Sequence, residues 1–274
     1  MNNLERKMVD VLKDLKENNG VTGIKAEFEA EGTRMEEALR LKDVITKAGL
    51  GLSLKIGGCE AIKDMYEART IGVERIIAPM VESPFSLIKF LRATKLAYPK
   101  DEQEDIDFLV NIETITAYNN FEKMLEIPEI QQLDGIVIGR VDMTGSMGLS
   151  REDINNDKIF DIVKDLVVKA KNNNKKKLDT VVGGGVSAFS IPFFKRLPEN
   201  TLDRYETRKV IFECIKAFKG DPDKGILKAV GFELLWLKNK RGYYSLIESE
   251  DAQRIVMLES RYKKMIEDAG GKYE

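Results

Sequence analysis

Two segments of this chain end in carboxylates where a β-strand would hand over to a loop. Residues 110–114 (VNIET) close on Glu113, and residues 134–149 (DGIVIGRVDMTGSMGL) run into a glycine-bearing loop that carries Asp142. Carboxylates at successive strand ends can share one Mg²⁺ or Mn²⁺ and leave positions open for water and substrate, because such hard ions take oxygen ligands. The chain has no histidine. That removes Ser-His-Asp and Cys-His catalysis, histidine proton shuttling and every His-containing zinc site. Acid–base work then falls to carboxylates, Lys, Tyr, Cys or metal-bound water. The two cysteines, Cys59 and Cys214, stand alone and form neither a disulfide framework nor a zinc knuckle.

The segments around these acids have a polar second face. Side chains alternate along a strand. Lys25, Glu27 and Glu29, with Glu31 on the same parity, oppose Ile24, Ala26, Phe28 and Ala30. Ser53 and Lys55 oppose Leu52, Leu54 and Ile56, and Asp107, Leu109, Asn111 and Glu113 oppose Phe108, Val110 and Ile112. Buried charges are costly unless paired or metal-bound. Three polar faces in succession do not fit one sheet edge. They suggest the interior of a barrel, with an active site at the carboxyl ends of its strands. Two further features are weaker. Gly183 and Gly184, in residues 181–187 (VVGGGVS), would offer free amides to an anion, with a tight turn as the plainer reading. Arg208, in residues 206–209 (ETRK), would reach a substrate anion, with a solvated side chain as the plainer reading. Glu82-Ser83-Pro84 reads as a helix start, with proline in its first turn.

These residues need elements to hold them. The chain has 274 residues, 43% of them hydrophobic, enough for a large core and about the size of one (β/α)₈ barrel of roughly 250 residues. A net charge of −2 argues against a dedicated nucleic-acid binder. The first residues lack the pattern of a signal peptide. No apolar run approaches the roughly 18 residues needed to span a bilayer. A cytoplasmic, soluble protein is expected. Strands are expected at 22–30, 50–56, 73–80, 106–113, 133–139, 180–183 and 202–206. A first helix at 2–18 precedes them, and helical stretches lie between them, which implies a parallel sheet. That makes seven strands, one short of a barrel. Residues 207–219 read as helical, residues 220–223 as a break, and 224–240 and 249–268 as two more helices. The expected division is a barrel at 1–220 and a helical extension at 221–274.

Three segments give the chain a family resemblance over about residues 22–215: residues 55–83 (KIGGCEAIKDMYEARTIGVERIIAPMVES), 109–114 (LVNIET) and 134–148 (DGIVIGRVDMTGSMG). It resembles the HpcH/HpaI aldolase and citrate lyase β family, a phosphoenolpyruvate/pyruvate-type barrel. That family has an acid closing a "VxVE" strand and then "DGxxIGPxDLSxSLG". The resemblance implies a TIM-type (β/α)₈ barrel and places Glu113 and Asp142 on the two metal-ligating carboxylates. It places the amides of Val141 and Asp142 where the carboxylate of a 2-oxo acid binds, and Asn111 where the aldolase branch has Gln. Lys55 stands for the usual Arg that faces the substrate carbonyl oxygen, keeping the charge and losing the bidentate fork. The stretch Glu27-Phe28-Glu29-Ala30-Glu31 replaces an Asp-x-Glu-His stretch, so the family's histidine base is gone. Arg140 replaces a proline. The family's first strand has no counterpart, so the first strand is atypical or missing.

The activity so implied is an Mg²⁺- or Mn²⁺-dependent carbon–carbon lyase that cleaves or forms a 2-oxo acid through a pyruvate-like enolate. Lys55 would stabilise the enolate, and Glu29, crowded by Glu27 and Glu31, or metal-bound water would be the base. A Schiff base on Lys55 is less economical, because the metal pair makes it redundant. The alternatives are a CoA-ester lyase of the citrate or malyl type, whose Arg-Arg-Ser-x-Leu-like opening strand is absent here, and a non-catalytic binding protein on the same barrel. No nucleic-acid or membrane partner is expected. A homo-oligomer is, because residues 232–237 with Ile255, Val256, Leu258 and Met265 leave apolar surface on the tail.

Overall fold

The structure is a computed structural model that describes residues 1–272. The last two residues of the expected extension lie outside them. Eight strands close into a barrel: β1 (Val21–Glu27), β2 (Gly51–Lys55), β3 (Arg75–Ala78), β4 (Asp107–Ile112), β5 (Gly135–Gly139), β6 (Asp179–Gly183), β7 (Arg204–Glu206) and β8 (Val210–Glu213). Helices alternate with them: α1 (Asn3–Asn19), α2 (Met35–Lys47), α3 (Ile62–Ile71), α4 (Pro84–Ala97), α5 (Ile115–Glu126), α6 (Arg140–Ser146), α7 (Asp157–Asn172), α8 (Ile191–Lys195), α9 (Cys214–Ala217) and α10 (Pro222–Asp268). All seven expected strands are present; β1 and β6 start one residue earlier than expected, and the other five lie within the expected bounds. As expected, Ser83 caps α4, with Pro84 in its first turn.

The eighth strand corrects the sequence reading. Residues 210–213 form a strand where a helix at 207–219 was expected; only Cys214–Ala217 is helical. Val210, Ile211 and Phe212 are β-branched or aromatic, and such residues suit a pleated surface. The connection from β7 is a hairpin closed by Thr207 N–H donating to Val210 O at 2.9 Å. A turn that short forces reversal, since a parallel return needs a crossover of a dozen or more residues. β8 therefore runs antiparallel to both β7 and β1, while β1 to β7 pair in parallel. α1 leads directly into β1, and β8 fills the place of the strand the sequence lacked.

The expected helices 224–240 and 249–268 are one continuous helix of 47 residues, α10. Asp221 caps it and Pro222 opens it. Gly225, Ile226, Ala229, Phe232 and Trp236 bury its first part, which packs along α1.

Inside the barrel the side chains sort by height. Ile77, Leu109, Val137 and Val181 form an apolar plug separate from the main core between strands and helices. At the amino end of the strands Arg75 pairs with Asp107 at 2.9 Å and Arg204 with Asp179 at 2.9 Å. Asp107, on the polar face in sequence, therefore closes the barrel floor. Above the plug, at the carboxyl ends, lie the inward-facing lysines and acids. No helix among the described residues is long and apolar enough to cross a membrane.

Candidate active site

β1 carries Lys25 and Glu27 on its inner face, and register sets Glu27 beside Lys55 on β2. The strand ends at Glu27, and the following turn brings Glu29 and Glu31 back to the mouth. Each of the three acids that the sequence sets side by side has an ammonium against it. Glu27 lies 3.1 Å from Lys25, Glu29 lies 2.9 Å from Lys55, and Glu31 pairs with Lys209 of the β7–β8 hairpin. Lys25 also meets Glu206 of β7 at 2.5 Å. Burial works against the Lys25 ammonium, yet Glu206 and Glu27 outweigh it and raise its pKa well above the ordinary lysine value. Burial likewise favours the neutral form of Glu27, but Lys25 reverses this and holds the carboxyl below its usual range.

The second group centres on Glu113, at the end of β4. Its Oε1 accepts from the backbone N–H of Met80 at 3.0 Å, and its Oε2 accepts from Asn111 Nδ2 at 2.6 Å. Lys55 Nζ stands 3.5 Å from the same Oε2. Met80 holds a left-handed φ of 50°, rare for a residue with a side chain, and this strain aims its amide at the carboxylate. Gly139 on β5 makes room, since a Cβ there would sit 2.7 Å from Glu113 Oε2. Burial pushes the Glu113 carboxyl upward and Asp142 adds to the push; Lys55, Asn111 and the Met80 amide oppose it without cancelling it. For Lys55, burial disfavours the charge, but Glu113, Glu29 and Glu27 prevail and its pKa rises. The surrounding acids thus favour the charged form of Lys55, which is not the form that acts as an amine nucleophile.

Asp142 is exposed in the first turn of α6, directly after β5. Val141 beside it is half-buried. Among the described residues no three acids or cysteines gather as a metal cluster. The donors present are nevertheless of the right kind for a hard cation. Two carboxylates, Glu113 and Asp142, oppose one another electrostatically, and the buried Asn111 Oδ1 has no hydrogen-bond partner. Mg²⁺ commonly takes only one or two carboxylates and completes its shell with water and substrate oxygens.

The remaining expected residues sit as follows. Gly183 ends β6 and Gly184 follows it, and their carbonyls accept from Arg140 Nε at 3.1 Å and Nη2 at 3.0 Å. Gly184 has a φ of 78°, and a Cβ there would lie 2.7 Å from the Val141 amide nitrogen. The glycines thus let the β6 loop press against the start of α6. Arg208 is exposed at the hairpin tip, on the rim of the same mouth. Glu82 accepts from Thr114 Oγ1 at 2.5 Å, which ties the β3 loop to the cap of α5.

Sequence reasoning passed over two parts of this region. Lys25 and Glu206, 181 residues apart, meet only because β7 lies beside β8 and β8 beside β1. The inward parity of Lys25 was the available signal; its partner had none. Arg140 is fully buried, with Asn155 Oδ1 at 2.6 Å and Ser190 Oγ at 3.2 Å in addition to the two carbonyls, and it packs on Phe193 and Phe194. It clamps the loops after β5 and β6 together.

A closed barrel whose lysines and acids converge at the carboxyl ends of its strands has the layout of barrel enzymes. The profile of the HpcH/HpaI aldolase/citrate lyase family matches residues 35–187, more than half of the chain, and the protein belongs to that family. The match contains Lys55, Asn111, Glu113, Val141, Asp142, Gly183 and Gly184, and stops short of Glu29, Glu206 and Arg208. A solved HpcH/HpaI aldolase/citrate lyase family protein from Burkholderia cenocepacia J2315 is 12% identical with a TM-score of 0.57, covering 84% of this chain and 99% of that one. Citrate synthase SbnG is 14% identical with a TM-score of 0.57, covering 84% and 98%. At such identities the likeness is one of fold. No curated protein matches by sequence. Family membership supports a lyase-type enzyme.

Proposed function

We propose that this chain is a divalent-metal-dependent carbon–carbon lyase that cleaves or forms a 2-oxo acid through a pyruvate-like enolate. The observation that carries this reading is the convergence of Glu113, Lys55 and Glu29 at the barrel mouth, with Asp142 next to Glu113. Glu113 and Asp142 would hold Mg²⁺ or Mn²⁺, which when bound supplies Lewis-acid polarisation of the substrate's carboxylate and 2-oxo groups. The amides of Val141 and Asp142, at the start of α6, would receive the substrate carboxylate. Lys55 offers a fixed positive charge to the oxygen on which negative charge develops as the carbon–carbon bond breaks. Its ion pairs with Glu29 and Glu113 orient it before substrate arrives. Glu29, partly open to the mouth, is placed to take a proton from the hydroxyl of the bond being cleaved and to return it in synthesis. Asn111 holds Glu113 in position through its Nδ2. Arg208 on the rim suits an anionic group at the far end of the substrate.

The test is incubation with pyruvate in D₂O, followed by proton NMR of the methyl group. Exchange that needs Mg²⁺ or Mn²⁺ and is lost in Lys55→Met is the expected result. Silence with every divalent ion would favour a binding protein on this barrel.

A further inference from the structure

α10 has 47 residues, so it is roughly 70 Å long at about 1.5 Å per residue. Only its first half lies on the barrel. Past Tyr244, whose hydroxyl donates to Glu37 at 2.7 Å, nearly every described position is exposed. A helix with no packed face draws little stability from its own hydrogen bonds.

Its sequence has a second face on which the barrel engages Tyr244, through Glu37 and Arg34, and leaves the apolar residues exposed. Leu227, Val230, Leu234 and Leu237 lie on the side turned away from Ile226, Ala229, Phe232 and Trp236. The same alternating three- and four-residue spacing continues through Arg241, Tyr244, Glu248 and Asp251, and then through Ile255, Leu258, Tyr262 and Met265. This is an unbroken heptad seam. The apolar members of its two outer blocks are all more than half exposed. The charged middle decides how the seam can be filled. Two parallel copies in register would set Arg241 on Arg241, Glu248 on Glu248 and Asp251 on Asp251. Two antiparallel copies allow a register that sets Leu227 against Met265, Leu234 against Leu258, Leu237 against Ile255, and Arg241 against Asp251, each pair twice. Sliding one heptad puts Glu248 against Asp251 and Arg241 against Leu258. The one like-charged flank of the chosen register, Lys240 near Arg254, is relieved because Glu37 already holds Lys240 at 2.9 Å.

We propose that α10 is an assembly element: residues 227–265 pair with the same residues of a second copy of this chain in an antiparallel coiled coil, locked by reciprocal Arg241–Asp251 pairs. The barrel-facing side of α10 stays on α1, so the two barrels sit toward opposite ends of the paired helices. Like-charge contacts in such a seam select against the wrong orientation as much as the apolar layers select for association. The inference is independent of the chemistry proposed for the barrel.

The test uses the full chain and light scattering at tens of micromolar. A dimer, or an even-numbered assembly built from it, is expected; a monomer overturns the proposal. Arg241→Asp sets Asp against Asp251 and should weaken association on the order of 10²-fold, while circular dichroism of the barrel is unchanged. Arg241→Asp with Asp251→Arg should restore it. No weakening in the single variant, or no recovery in the double, refutes the register. Orientation is read by cysteine crosslinking, with the wild type as background for Cys59 and Cys214. An equimolar mixture of Leu234→Cys and Leu258→Cys chains should oxidise to a covalent dimer that neither chain forms alone. Efficient crosslinking of Leu234→Cys to itself would show a parallel pair and overturn the proposal.

Discussion

Replacing Lys55 by Met removes the one cation that the structure sets between Glu29 and Glu113, at 2.9 Å and 3.5 Å. Two consequences separate cleanly. The first is catalytic. If Lys55 faces the oxygen where charge develops, its loss is equivalent to removing one preorganised oxyanion donor, on the order of 10²–10³ in kcat, or about 3–4 kcal/mol. Metal affinity should be kept or tightened, because a like charge has left. Lys55→Arg should recover part of the rate. The second consequence is on stability. Glu113 is 1% exposed and keeps only the Met80 amide and the Asn111 amide as donors. Stripping one partner from a buried ion pair costs about 3–5 kcal/mol unless the remaining group neutralises. Glu113 can neutralise by taking a proton, since burial already raises its pKa. A carboxyl whose folded pKa lies above its unfolded value binds its proton more tightly when folded. Its stabilising effect is full below the unfolded pKa and is lost as pH rises through the folded one. Lys55→Met should move that window upward. Its Tm should therefore rise on acidification from neutral pH more than the wild type's does. Adding Glu113→Gln should abolish the difference. Steady-state kinetics with saturating metal and pH-resolved thermal melts read both effects. Full turnover in Lys55→Met, or a Tm difference that ignores pH and Glu113, would refute the reasoning.

Glu113→Gln and Asp142→Asn should each abolish divalent-ion binding in calorimetry while the fold survives, because an amide is a far weaker ligand for Mg²⁺ than a carboxylate. Gly139→Ala should reduce metal affinity and turnover together without unfolding the barrel, since its Cβ would meet Glu113 Oε2 at 2.7 Å; unchanged affinity would show that this oxygen is not a ligand. Arg140→Leu should lower stability by about 3 kcal/mol or more in urea titration, through loss of hydrogen bonds from a buried cation to four acceptors. Glu27, held below its usual range by Lys25, contributes stability that is present above the unfolded pKa and is lost as pH falls through the folded one. Lys25→Met should therefore flatten the acid side of the stability profile below about pH 5.

The alternation along β1, β2 and β4 was enough to show in sequence that Lys25, Glu27, Lys55, Asn111 and Glu113 share an inner face, because the period of a strand is fixed by its geometry. The carboxyl-end position of Glu113 followed from the same pattern; Asp142 was expected in a loop after the next strand, and it lies there in the first turn of α6. Three things were not legible. The antiparallel closure by β8 depends on a hairpin turn, and residues 210–219 have apolar spacing that also fits a helix. The one-to-one pairing of Glu27, Glu29 and Glu31 with Lys25, Lys55 and Lys209 depends on where the chain turns after β1, and parity cannot describe a turn. The continuity of α10 through residues 241–248 (RGYYSLIE) was hidden because Gly242 and the two tyrosines after it have low helix propensity, which the long helix around them overrides.

The central claim is that a divalent ion held by Glu113 and Asp142 and the ammonium of Lys55 act on the same 2-oxo acid. Its most direct test is a crystal grown with Mn²⁺ and soaked in pyruvate, with anomalous scattering recorded at the manganese edge. The account predicts one strong anomalous peak bridging the carboxylates of Glu113 and Asp142, with pyruvate beside it and Lys55 Nζ within hydrogen-bond reach of the 2-oxo oxygen. A peak elsewhere in the molecule, or pyruvate bound with Lys55 still facing only Glu29 and Glu113, would contradict it.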